Sequence, residues 1–455
     1  MKILLQGGSV VSADGIVRAD VLISGETVEA VGTNLRCDDA EIRDVSGKLL
    51  FPGFIDAHTH FDLDVCNTTT ADDFYSGGCA AIRGGTTTVI DFASPERGET
   101  LQVGLDRWHE KARKNGCACD YGFHMTVVEW NDQVARDLPT MFEQGVSSFK
   151  MYMTYGFQLN DHDLFRTLQS MKEHGGVVGV HCENSGVIDA LIEQNKAAGH
   201  TDPTAHPESR PAILEAEAVA RLLRLAKLAD VPVVIVHLSS AEGLDAVQAA
   251  RAQGQTVWVE TCPQYLYLDD SSYALPDFEG GRYVCAPPLR KKADCERLWR
   301  ALSDGSVQTV STDHCSFTLA QKDAGRDDFT KIPGGLPGVE TRALLLFDGA
   351  AEGRITEAQM CALLAENPAR LYGLYPRKGV IAPGSDADIV VIDPAAETVI
   401  RAEEQVGRAG YSPFEGLHLR GGIESVWLRG SLAAENGTIL RDRGGIFLER
   451  GRGAL

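Results

Sequence analysis

Short β patterns open the chain at Lys2–Leu5, Asp20–Ile23 and Thr27–Val31, separated by glycine-containing turns. Similar patterns return late, at Ala387–Ile392, Gly422–Arg429 and Ile446–Leu448. Between them apolar, β-branched runs alternate with helical periodicity. Eight strands are predicted: Gly53–Ala57, Thr86–Phe92, Tyr121–Val128, Val146–Met153, Val177–His181, Val231–Leu238, Thr256–Cys262 and Val307–Asp313. Asp163–His174 carries Leu164, Phe165, Leu168 and Met171 at helical spacing. Glu215–Ala229 does so with Val219, Leu222, Leu223, Ala226 and Leu228. Eight βα units predict an α/β protein, a closed (β/α)8 TIM barrel over residues 53–378. A doubly wound sheet is the alternative, disfavoured because no GxGxxG turn follows a strand. The terminal β segments, 1–52 and 379–455, are each too few in strands to stand alone. They are expected to pair into one small β-sandwich.

Composition narrows the function. The chain has 455 residues, 44% of them hydrophobic, enough for a large packed core. Against 64 Asp and Glu stand 43 Lys and Arg, a net charge of −21. That balance argues against nucleic acid or an anionic membrane surface as partner, since phosphate binding needs a basic face. No apolar run approaches the roughly 18 residues of a membrane span, and the apolar run after Lys2 is too short for a signal peptide. A cytoplasmic protein is expected. The 11 cysteines are scattered without a CxxC pair, as reduced core thiols would be.

The candidate chemistry lies at strand ends. His58 and His60, in Asp56-Ala57-His58-Thr59-His60, point the same way because strand side chains alternate. Both imidazoles can then reach one metal ion. His181, His237 and Asp313 each stand where another apolar run stops. Singly, each reads as an ordinary strand-end polar residue. In a barrel all these ends converge on one face, where active sites are built. Lys150 closes the fourth run; beside four histidines and a metal its ammonium is expected to lose its proton. A neutral amine can take up CO2 as a carbamate, and that carboxylate can bridge two metals roughly 3.5–4 Å apart. The histidine-rich set points to zinc, with iron, cobalt or manganese as alternatives.

These residues belong to a wider set of motifs. It comprises Phe51-Pro52-Gly53-Phe54-Ile55-Asp56-Ala57-His58-Thr59-His60, Gly84-Gly85-Thr86-Thr87, Ser148-Phe149-Lys150, His181-Cys182-Glu183-Asn184, His237-Leu238-Ser239, Glu260-Thr261-Cys262-Pro263-Gln264-Tyr265, Ala286-Pro287-Pro288-Leu289-Arg290, Thr312-Asp313-His314 and Pro383-Gly384-Ser385-Asp386-Ala387-Asp388. With them the sequence resembles the amidohydrolase superfamily, in particular its hydantoinases and dihydropyrimidinases, over nearly its whole length. The resemblance implies a (β/α)8 barrel with a sandwich from both chain ends. It implies that His58 and His60 bind one metal, that His181 and His237 bind the second, and that carboxylated Lys150 bridges them. Asp313 is implied as ligand and general base, and Tyr155 as the group that hydrogen-bonds the substrate carbonyl. The implied reaction opens a cyclic amide ring to an N-carbamoyl amino acid, and a homotetramer is implied by analogy.

The resemblance also implies that two loops line the pocket for the ring substituent. One offers Leu63 and Val65, the other Tyr152, Phe157 and Leu159; backbone contacts are expected from Ala286, Gly334 and Gly335. Apolar walls favour a hydrophobic or aromatic substituent. The usual Met-Pro-Phe run of dihydropyrimidinases after the histidines is absent. Phe61–Val65, Lys150–Tyr155 and Gly335–Glu340 look more like the bacterial phenylhydantoinase branch. Alternatives are a dihydropyrimidinase proper, an allantoinase-like hydrolase, a deaminase or isoaspartyl peptidase, and a non-catalytic scaffold that has lost its ligands.

Overall fold

The structure, a computed structural model, describes residues 2–453. Eight strands pair in parallel and in chain order: Phe54–Thr59, Thr86–Ala93, Asp120–Thr126, Ser148–Tyr152, Val177–His181, Val233–Ile235, Val257–Thr261 and Thr309–Val310. They are buried on both faces, as expected of Val- and Ile-rich parallel strands covered by helices. The fourth crossover helix runs Asp161–His174, capped by the Asn160 side chain and ended by Gly175 in the left-handed conformation. The helix predicted from Glu215 begins at Ala212, behind Pro211. Leu228, read as part of its apolar face, is exposed.

The last strand is shorter than its apolar run predicts. Val307–Asp313 contributes only Thr309–Val310 to the ladder. Side chains complete the seam to the first strand. Thr312 donates to both oxygens of Asp56, through N (3.1 Å) and Oγ1 (2.7 Å). The buried Arg342 guanidinium donates to Ile55 O (2.8 Å) and Val310 O (2.9 Å). A single parallel bridge, Thr59 to His314, closes the ring. A short strand can join here because the buried backbone acceptors find a guanidinium instead of a ladder partner.

The chain ends build two further sheets. Thr27–Gly32, Asp20–Ser24, Lys2–Gln6 and Ala40–Asp44 form one, in that spatial order. The other has seven strands, and in it Leu49–Pro52 pairs antiparallel with Ile389–Val399, joining the two ends of the chain. Ile3, Leu5, Val21, Ile23, Leu50, Ile389, Val391 and Trp427 fill the core between the sheets. Ile446–Leu448 corrects the sequence reading, for it is no sandwich strand. Its Phe447 bridges Tyr121, and Leu448 N donates to Tyr121 O (2.7 Å), so the segment straps the start of the third barrel strand. Leu448 is fully buried there with Ile55 and Ala57. Burial against the barrel decides the placement of this short apolar run.

Candidate active site

His58 lies in the first barrel strand and His60 just beyond it, both buried, their rings 5.2 Å apart. The Nε2 atoms of both face Asp313 Oδ1, at 3.2 Å from His58 and 3.0 Å from His60. The ligand atoms of these three residues lie within 4.8 Å of one another. Lys150, in the fourth strand, places Nζ 3.2 Å from His58 Nε2. The His181 and His237 rings stand 4.4 Å apart, and His237 is 5.3 Å from the His58 ring. All six predicted ligand residues line one cavity of about 260 Å³.

Carboxylates behind the histidines set their orientation. His58 Nδ1 is 2.7 Å from Glu260 Oε1, which also accepts from His237 N at 3.2 Å. His181 Nε2 is 2.7 Å from Glu183 Oε2, and Arg210 Nη1 donates to that same oxygen at 2.7 Å. Each imidazole so held presents its other nitrogen to the cavity. His314 Nδ1 accepts from the backbone of Gly338 and Val339, leaving Nε2 to donate to Asp72 at 3.1 Å. That fixes the segment carrying Asp313. Asp313, His237 and Tyr155 all have left-handed backbone conformations, with φ of 53°, 39° and 71°. Non-glycine residues pay conformational energy there, and such positions cluster at functional sites.

Burial dominates the electrostatics. It lowers His58 and His237 well below the ordinary imidazole value, helped by the positive charge of Lys150. His181 is lowered by burial against the pull of Glu183. All three imidazoles are therefore neutral at neutral pH. Burial brings the Lys150 ammonium down to about 8, while Asp313 and Glu260 act in the opposite direction. The downward shift therefore comes from enclosure, where the sequence pattern points to the four histidines and a metal as its cause. Burial also pushes Glu260 upward, while Lys150, Ser311 and the His237 N–H favour its carboxylate form. Against the same upward push, Arg210 and His181 bring Glu183 down to about 2.

Of the predicted pocket residues, Tyr155, Leu63, Val65, Tyr152, Phe157, Ala286 and Gly334 line the cavity. Tyr152, Tyr155 and Phe157 form an aromatic cluster, with centroids 4.8–6.1 Å apart. Leu159 does not line it; its side chain is buried in the core, and its N–H donates to Tyr152 O. Gly335 also turns away, its N–H given to Val284 O and its carbonyl to Lys322. The cavity is less uniformly apolar than the loops predict, because His206 and Arg210 reach it from Ala205–Ser209 and the residue after it. Glu183 and Glu260 sit inside motifs noted in the sequence, but their roles needed the fold. Arg210 carried no local signal; its partner Glu183 is 27 residues away.

Comparison with known proteins agrees with this geometry. Residues 49–433 match the amidohydrolase family. A D-hydantoinase of Streptomyces coelicolor is 45% identical over 94% of this chain and 93% of its own length. A D-hydantoinase of Geobacillus stearothermophilus is 44% identical over 100% of this chain and 98% of its own. The crystal structure of dihydropyrimidinase from Brevibacillus agri superposes with a TM-score of 0.98 at 42% identity, covering 100% of both chains. Among the described residues no helix is long and apolar enough to cross a membrane. With its histidine–aspartate cluster at the strand ends of an eight-stranded barrel, the chain belongs to the amidohydrolase family, on its hydantoinase–dihydropyrimidinase branch.

Proposed function

We propose that this protein opens the ring of a cyclic amide, a 5-substituted hydantoin or a dihydropyrimidine, to give an N-carbamoyl amino acid. The observation that carries this is the convergence of six ligand-type side chains and Tyr155 on one cavity. The donor set fits a pair of divalent cations. Among the described residues His60 Nδ1 and His237 Nδ1 are buried without hydrogen-bond partners, and burial holds the His58 and His237 imidazoles neutral. His58, His60 and Asp313 would hold one cation, His181 and His237 the other. Lys150 would join them as a carbamate, its neutral amine adding to CO2 with loss of one proton. Bound there, the cations supply Lewis acidity and bring the pKa of water towards neutrality.

The chain's own residues do the rest. Asp313 accepts the proton of the attacking water and returns it to the departing ring nitrogen. The Tyr155 hydroxyl, held neutral by burial, donates to the substrate carbonyl oxygen as negative charge grows there. Leu63, Val65 and Phe157 exclude water and receive the ring substituent. Those three residues also border a neighbouring cavity of about 460 Å³, which gives room for an aryl group. Zinc, to which the histidine-rich donor set points, a cytoplasmic setting, and a homotetramer by analogy with the family accompany this reading.

The deciding experiment is turnover by the metal-loaded enzyme of hydantoin, 5-phenylhydantoin, dihydrouracil, allantoin and dihydroorotate, with metal content measured in parallel. The proposal expects about two metals per chain and fastest opening of 5-phenylhydantoin. Dihydrouracil turned over equally well or better would make the protein a dihydropyrimidinase. A chain that retains no metal and opens none of the rings would fit a scaffold.

A further inference from the structure

Lys322 lies in the short helix Leu319–Asp323, is 1% exposed and is not among the residues that line the candidate active-site cavity; its helix borders a separate small surface hollow with Asp277 and Arg326. Among the described residues it forms no salt bridge; its three ammonium protons go to three backbone carbonyls. These are Val284 O (2.7 Å), Pro333 O (2.7 Å) and Gly335 O (2.8 Å). An ammonium has three donors and no acceptor, so its capacity is filled. The three carbonyls belong to two separate segments, and Gly335 N donates to Val284 O, tying the segments together.

The neighbouring carbonyls are tied as well. Cys285 O accepts from His206 Nε2 (2.7 Å) and Pro287 O from the Tyr265 hydroxyl (2.8 Å). Ala286 and Gly334 are left between these pinned groups. Their N–H and C=O groups make no hydrogen bond among the described residues, and both residues line the cavity. They are adjacent, since a Cβ on Gly334 would stand 4.0 Å from Ala286 N. The Pro333 carbonyl and the Gly334 N–H share one peptide group. A cation on that oxygen polarises the amide and strengthens the N–H as a donor. His206 does the same, more weakly, for the Ala286 N–H through Cys285 O.

We propose that Lys322 is the positioning residue for ring recognition. It anchors the two segments so that the free backbone groups of Ala286 and Gly334 face the cavity as a paired donor–acceptor edge for a cyclic amide. This rests on the cyclic-amide reading for its ligand, but not for its geometry. Lys322 touches no substrate, so its removal should weaken binding and largely spare the chemical step.

The test uses metal-loaded Lys322→Met and Lys322→Gln, with 5-phenylhydantoin and dihydrouracil as substrates. The methionine keeps the stem and removes all three donors; the glutamine retains two. KM should rise about ten-fold in the methionine variant and less in the glutamine variant, the first corresponding to a lost hydrogen-bonding alignment. The kcat should stay within about three-fold, as loss of uniform binding requires. Metal content should be unchanged. Hydrogen exchange should quicken at residues 284–287 and 333–336 while the barrel strands keep their protection. A KM unchanged in both variants, or protection lost throughout the barrel, overturns the proposal. If the methionine variant does not fold, the glutamine variant decides by the same measures. Should the parent enzyme open neither ring, the functional reading fails while the exchange measurement still judges the anchoring.

Discussion

Glu260 Oε1 lies 2.7 Å from His58 Nδ1, across 202 residues of sequence and on the seventh strand of the barrel. The carboxylate dictates which imidazole nitrogen keeps its proton and raises the basicity of the nitrogen that faces the cavity. It also receives His237 N, so one side chain orients two of the histidines. Glu260→Gln keeps the shape but supplies a weaker acceptor. Metal affinity, measured by competition with a chelator, should fall about 10–100-fold. Wild-type affinity in this variant would remove Glu260 from the account.

Lys150 tests the bridged pair of cations. Its amine is buried, beside His58, over the rings of Phe92 and Tyr152 at 5.0 and 5.1 Å. Lys150→Ala removes the proposed carbamate and leaves the five other ligands in place. Ring opening should drop by about three orders of magnitude or more, as loss of a preorganised charge-stabilising group implies. Reconstituting wild-type apoprotein in CO2-free buffer should likewise give poorly active enzyme until bicarbonate is added. Full activity of Lys150→Ala would reduce the site to a mononuclear one.

Much of this site could be read from residue order because the barrel makes strand ends converge. An apolar run followed by His or Asp is a local signal, and His58, His60, His181, His237 and Asp313 each carry it. What escaped was set by contacts with no local period. Arg210 is reached through a short helix after a long excursion, and its relation to Glu183 exists only in three dimensions. Leu159 and Gly335 follow motif residues closely, yet one backbone turn directs each away from the cavity. The last strand failed in length because Arg342 and Thr312 replace ladder hydrogen bonds at the seam, which hydrophobic periodicity cannot register. Ile446–Leu448 has strand-like composition, but its partner is the barrel.

His206 predicts an acid-sensitive fold. It is buried at the cavity wall and donates to Cys285 O. Burial, with Arg210 nearby, brings its pKa down to about 3. The unfolded chain protonates this histidine near 6.5. Between these values the unfolded state holds the extra proton. The contribution to stability is therefore complete above about 6.5 and is lost as pH falls towards 3. Gln does not titrate and can still donate to the carbonyl. Between pH 6 and pH 4 the wild type should lose stability more steeply than His206→Gln, by up to about 1.4 kcal/mol per pH unit. Denaturant titrations at several pH values measure this difference; parallel curves would mean that His206 takes its proton in the folded state too.

Lys378 predicts a large stability effect far from the chemistry. Its buried Nζ lies 2.7 Å from Asp120 in the third barrel strand, 2.7 Å from Asp388 and 3.0 Å from Asp386. Arg429 Nε stands 3.2 Å from Asp120, so two cations meet three carboxylates. Burial alone would discharge the lysine, but the carboxylates hold its pKa above the ordinary ammonium value. Such a cluster is worth little against an apolar replacement of the whole, yet removing one central member strands the others in a dry interior. Lys378→Met should destabilise the protein by about 3–5 kcal/mol, read from the shift in guanidinium midpoint. Asp386→Asn should cost less, about 1 kcal/mol, because the buried Asp386 is shared with the half-exposed Arg377 and the other two carboxylates keep the lysine paired. Equal effects from the two variants would mean that the cluster acts as a surface ion pair and does not join the barrel to the terminal sheets.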